Sequence, residues 1–190
     1  MLIQYPGDSE APIVSWLRNR LKGIQVALES DLREAALILI FSRIDRLGWL
    51  SSDVSQQDAT GETFKAWCDQ YLLGDLRSVD QETFALVDLW AAPCGLLHTS
   101  IPQSKLSREG KAREVQYKFG KEVGVNLFGA SKLDPLVLDI EHFALCFKSA
   151  AIALLNNGIK DEELSKRISS RSNNFFRWAT LVRESDLRTT

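Results

Sequence analysis

The 190-residue sequence has no long apolar run. Its longest, AALILIF at 35–41, falls far short of the roughly 20 residues that a membrane-spanning helix needs, so no membrane partner is expected. Proline and glycine are scarce, at 5 and 11 residues, which excludes low-complexity and collagen-like chains. Cys68, Cys94 and Cys146 are odd in number and widely spaced, so no disulfide framework is expected. The opening residues, MLIQYPGDSEAP, carry acids and prolines where a secretory leader would have a basic start and an apolar centre. Together these features predict a cytoplasmic chain with reduced thiols. GxxxxGK[ST], GxGxxG and GxSxG are all absent, which argues against phosphate-loop, dinucleotide-binding and hydrolase-elbow enzymes. No cofactor is implied, and no internal repeat is found.

What is present fits one globular domain over 1–190, with 45% hydrophobic residues and enough length to bury a core without disulfides or a structural metal. The net charge of −2 is unevenly spread. Acids dominate 51–90 (Asp53, Asp58, Glu62, Asp69, Asp75, Asp80, Glu82, Asp88), whereas 104–121 is basic (Lys105, Arg108, Lys111, Arg113, Lys118, Lys121). A second basic stretch runs through Lys166, Arg167, Arg171, Arg177 and Arg183. Such segregation marks either an anion-binding face or separately solvated helix faces.

Apolar periodicity predicts a first helix from Ile13 to Leu28, after Pro12. A second is predicted from Ser30 or Asp31, where Asp31 and Glu34 have capping-box spacing. AALILIF, apolar on all sides, makes that helix central, and its next turn carries Arg43, Asp45 and Arg46. SSDVSQQDAT at 51–60 reads as a loop, Thr60 as the cap of a third helix, and Gly74 as its end. A fourth helix from about Asp80 should kink or stop at Pro93. Alternation in Val115, Tyr117 and Phe119, then Val123, Val125 and Leu127 after Gly120, predicts a small β-hairpin near 113–128. Asp134–Pro135 predicts a helix start with a stop at Gly158, and a last helix from Asp161 with a possible break at SSRSNN. The expected fold is mainly α, with five or six helices and one small hairpin.

Few residues carry recognisable chemistry. Cys94 and His98 are four apart, as are His142 and Cys146, so two packed helices could offer these four side chains to zinc. The alternative is separate core cysteines, since cysteine is commonly buried as a small hydrophobe. Cys94 with His98 could also form a nucleophilic pair, although no orienting Asn or Asp lies nearby. His98 itself, just past an apolar helix, can cap terminal carbonyls and meet the negative end of the helix dipole. SKLSREGKAREVQYKFGK combines cations with Tyr117 and Phe119, a mixture that binders of single-stranded nucleic acid use. If the aromatics point inward with Val115, only the loop cations at 105–111 are free for phosphate.

A largely helical domain closing on His98 resembles the HEPN superfamily, helical domains of toxins, abortive-infection systems and RNA-guided defence. The resemblance covers the helices from 31 to 98. It implies a dimer that cleaves RNA without metal, using a motif of arginine, four to six residues, then histidine. His98 matches the histidine as the expected catalytic residue, while Ala91, Ala92 and Pro93 stand where the arginine is allowed. An imidazole can move a proton at the 2′-hydroxyl or the leaving oxygen, and a guanidinium stabilises phosphate charge. Pro93 removes that cation. Lys105, Arg108, Lys111 and Arg113 are the expected phosphate-binding residues, with Arg108 or Arg113 as possible substitutes for the missing arginine. The rival expectation is a non-enzymatic interaction or dimerisation module whose Trp16, Trp49, Trp67, Trp90 and Trp178 bury a partner or a second copy.

Overall fold

The structure, a computed structural model, describes residues 12–79, 84–99, 103–120 and 133–176, with side chains at 78–79, 97–99 and 173–176 outside the description. It is mainly α with one small parallel sheet. Helix α1 (Pro12–Glu29) buries Ile13, Val14, Trp16, Leu17, Ile24 and Ala27, close to the stripe that its periodicity predicts. Its end corrects the expected start of the next helix. Asp31 has φ 56° and does not cap α2. The N–H of Asp31 donates to the Leu28 carbonyl and that of Leu32 to the Ala27 carbonyl, the pairing of a left-handed helix terminator.

Helix α2 (Arg33–Ser51) is the central element, with Ala36, Leu37, Ile40, Phe41, Ile44, Leu47 and Leu50 buried. It touches α1 and every other long helix of the core described below. Gly48 lets a neighbour approach closely: a Cβ there would lie 2.6 Å from the Thr63 carbonyl oxygen. That carbonyl belongs to α3 (Gly61–Trp67), which Thr60 caps as expected, its hydroxyl accepting from the Thr63 N–H. Gly74 does not stop this helix. A wide π turn at Cys68–Leu72 leads directly into α4 (Leu73–Val79). Burial of Leu72, Leu73 and Leu76 outweighs the glycine's helix penalty of about 1 kcal/mol.

Helix α5 (Leu86–Thr99) continues through Pro93, so the expected stop there does not occur. Pro93 cannot donate to the Leu89 carbonyl, but burial of Leu89, Ala91 and Ala92 holds the segment in helical form. The single turn α6 (Lys105–Arg108) follows, with a Ser104–Ser107 capping box.

The β element differs from a hairpin in the described part. Strand β1 (Val115–Lys118) pairs in parallel with β2 (Leu136–Asp139), Val115 opposite Leu136 and Lys118 opposite Asp139. The second arm expected at 123–127 lies outside the described residues. Pro135 favours extended backbone at Asp134, and Leu136 and Leu138 then alternate inward. The following helix, α7 (Ile140–Lys160), therefore starts at the Asp139 cap, whose carboxylate accepts from the His142 N–H. Phe143 and Phe147 of α7 meet Phe41 and Trp67 at 5.3 and 6.1 Å between ring centroids.

Asp161 caps α8 (Glu162–Phe176), accepting from the N–H groups of Glu163 and Leu164. No break occurs at SSRSNN, and the residues after Phe176 lie outside the description. Arg171 of α8 is 8% exposed and ties down the loop after α2. Its guanidinium donates to the carbonyls of Trp49, Ser52, Asp53 and Gln56 and to the Ser52 hydroxyl, and it covers the Trp49 ring at 4.8 Å. Arg171→Ala is expected to cost about 2–4 kcal/mol, because several carbonyls lose a charged donor at once. Arg171→Lys should recover only part of this, lacking the planar fork. Urea titration of the three proteins measures it, and an Arg171→Ala midpoint equal to wild type would show that the loop holds itself.

Candidate functional site

The segment singled out by sequence is the last part of α5 together with α6 and the approach to β1. Its anchor is Asp88, in the first turn of α5 and 2% exposed. One carboxylate oxygen accepts from the Arg113 backbone N–H at 2.7 Å. The other accepts from Arg113 Nε and Nη2 at 3.1 and 2.9 Å and from the Ala85 N–H at 3.1 Å. Arg113 thus serves as the clamp that fixes the chain before β1 to the start of α5. Helix α6 packs on α5 within the span that this clamp closes.

The other expected phosphate ligands lie on the outside of that span. Lys105 is 82% exposed, and Lys111 and Arg108 are also exposed. Glu109 sits between the two lysines, 2.7 Å from Lys111 and 3.9 Å from Lys105. Its hydrogen bond to Lys111 and that lysine's charge hold its carboxyl below the ordinary value. Arg108 donates to the Gln103 carbonyl at 3.3 Å. Gly110, with φ 73°, ends α6 and turns the chain toward buried Ala112. His98 falls in the last turn of α5, and its side chain lies outside the described residues.

Tyr117 of β1 and Phe119 just after it do not form a stacking platform. The Tyr117 hydroxyl is buried without a hydrogen-bond partner, and burial pushes its pKa up. Phe119 packs on the core with Arg33 over its ring at 4.2 Å.

The His142–Cys146 pair is in contact, Cys146 Sγ lying 3.3 Å from His142 Nε2, while the His98 side chain of the other pair lies outside the described residues. Cys94 Sγ–H donates to the Trp90 carbonyl at 3.6 Å. Burial, then the charge of Asp45, push the Cys94 thiol up, the opposite of what a nucleophile or a metal-binding thiolate needs. Among the described residues no three His, Cys, Asp or Glu side chains gather to hold a metal ion. Cys68 is buried, and its thiol too is raised by burial.

Each described tryptophan packs on or bonds to other residues of the chain. Trp16 and Trp67 are buried. Trp90 meets Phe64 edge-on at 5.2 Å between centroids, and Trp49 donates to the Gln57 carbonyl at 2.9 Å. Trp178 lies outside the described residues.

Asp88 was not singled out by sequence reasoning. Its partner is 25 residues away, and no local spacing announces such a pair. The only sequence signal was an acid in a helical first turn, just before an apolar run. Comparison of the chain with protein-family models, curated proteins and solved structures finds no match.

Proposed function

We propose that the chain is a HEPN-like RNA-handling protein of a prokaryotic defence or toxin system. Its cationic segment at Lys105, Arg108 and Lys111 holds RNA phosphates beside the end of α5 that carries His98. The observation that carries this reading is the buried Asp88–Arg113 clamp, which keeps a solvent-facing set of cations against the helix with the motif histidine. Phosphate contacts of this kind need exposed cations on a fixed support. An incoming phosphate would replace Glu109 on Lys111, a small loss because exposed ion pairs contribute little. In this reading two copies face each other, as in the family, and His98 stands at the phosphate.

With Pro93 in the arginine's place, the chain binds RNA and cuts it slowly or not at all. The test is a titration of labelled single-stranded RNA with wild type and a Lys105→Gln, Arg108→Gln, Lys111→Gln triple variant. The triple variant should bind at least about tenfold more weakly, as charged contacts are each worth roughly 1.5–3 kcal/mol before solvent screening. Equal affinity in the two proteins would remove this segment from any RNA contact.

A further inference from the structure

His142 and Cys146 lie four residues apart on α7, a different helix from the one that carries His98. Side chains at that spacing share a face. The Asp139 carboxylate accepts the His142 N–H at 2.9 Å, which fixes the first turn of α7 and with it the backbone that bears the imidazole. The ring reaches along the helix to the thiol, with Nε2 at 3.3 Å and Nδ1 at 3.9 Å from Cys146 Sγ. With the ring proton on Nδ1, Nε2 is an acceptor aimed at the S–H. Cys94, by contrast, donates to the Trp90 carbonyl, which cannot take up a proton, and Cys68 is fully buried.

Exposure decides what reaches the sulfur. Cys146 is 4% exposed, so a bulky electrophile is kept out, whereas hydrogen peroxide is little larger than water. His142 is half-buried, and its ring therefore links the sulfur to solvent for proton transfer. We infer that Cys146 is a modification site for small hydroperoxides, with His142 as the base that activates it. The imidazole takes the S–H proton, and the thiolate, the reactive form, attacks one peroxide oxygen. An S–O bond forms and the O–O bond breaks. The departing hydroxide takes the proton from the imidazolium and leaves as water. Sulfur is oxidised to a sulfenic acid while the peroxide is reduced, and no further oxidant enters. Cys94 and Cys68 are poorer targets, since burial, then the charge of Asp45, push both thiols up.

The full chain, His142→Gln and His142→Ala would be exposed to dilute hydrogen peroxide with chelator present and sampled over time. Catalase stops each sample, which is then unfolded in iodoacetamide, and the surviving thiol at Cys68, Cys94 and Cys146 is counted by peptide mass spectrometry. In wild type, Cys146 should be lost at least about tenfold faster than Cys94, the more exposed of the two. Both variants should lose Cys146 about tenfold more slowly than wild type, or slower still, because the base is gone.

The direction of the second result separates activation from packing. If His142 only covers the sulfur, alanine opens the site and oxidation speeds up. Circular dichroism shows whether each variant is folded, and the comparison among the three cysteines of wild type needs no variant. Neither arm depends on RNA binding. Cys146 oxidised no faster than Cys94, or oxidised as fast in the folded His142 variants as in wild type, overturns the proposal.

Discussion

Asp88→Ala is expected to lower the unfolding free energy by about 3–5 kcal/mol, the usual consequence of removing one partner of a buried ion pair. For a chain of this size the melting temperature should fall by on the order of 10 °C. The reason is local. The carboxylate accepts four hydrogen bonds, two of them from the backbone N–H groups of Ala85 and Arg113, and alanine leaves those N–H groups without that acceptor. Arg113, 28% exposed, can turn partly to water, so Arg113→Ala should cost less than Asp88→Ala. The double variant should be little worse than Asp88→Ala alone, which a double-mutant cycle measures. An Asp88→Ala protein melting with wild type would mean that α5 and the chain before β1 are joined by apolar packing alone.

Pro93→Arg is the second large effect, and it is a gain. It places an arginine five positions before His98 on an uninterrupted helix, the spacing that the proposed HEPN-like reading requires. It also returns a backbone N–H to the helix interior. If His98 stands at an RNA phosphate, the added guanidinium should speed chelator-insensitive cleavage by about 100-fold or more, the scale seen for a single donor to a developing oxyanion. The double variant with His98→Ala should lose that gain. Pro93 is buried, so circular dichroism and the melting curve must first show a folded protein. A folded Pro93→Arg chain that cuts no faster than wild type would dissociate His98 from phosphodiester chemistry.

Much of the fold is written in local pattern. The stripe of α1, the central place of α2, the Thr60 cap and the loop after α2 follow from apolar pattern and capping chemistry, although Ala35 and Ile38 of the all-apolar run face outward. Where the local signals misled, tertiary burial had overridden them. Gly74 and Pro93 are read as breakers, yet both sit in helices pinned by buried neighbours such as Leu73, Leu76, Leu89 and Ala92. Asp31 has the composition of an N-cap, but its left-handed backbone ends the previous helix. The parallel pairing of β1 with β2 joins segments about twenty residues apart, which alternation alone cannot specify.

The candidate site was legible in its exposed members, because Lys105, Arg108 and Lys111 cluster along the chain. Its buried anchor, Asp88, was not, because the pair depends on side chains 25 residues apart that only folding brings together.

The most direct measurement of the central claim is the salt dependence of wild-type affinity for labelled single-stranded RNA, followed by anisotropy with chelator present. If Lys105, Arg108 and Lys111 each neutralise a phosphate, log affinity should fall against log salt with a slope of about −2 or steeper, from roughly 0.7 per phosphate on a single strand. No binding at low salt, or an affinity indifferent to salt, would contradict the account of this protein as one that holds RNA by its phosphates.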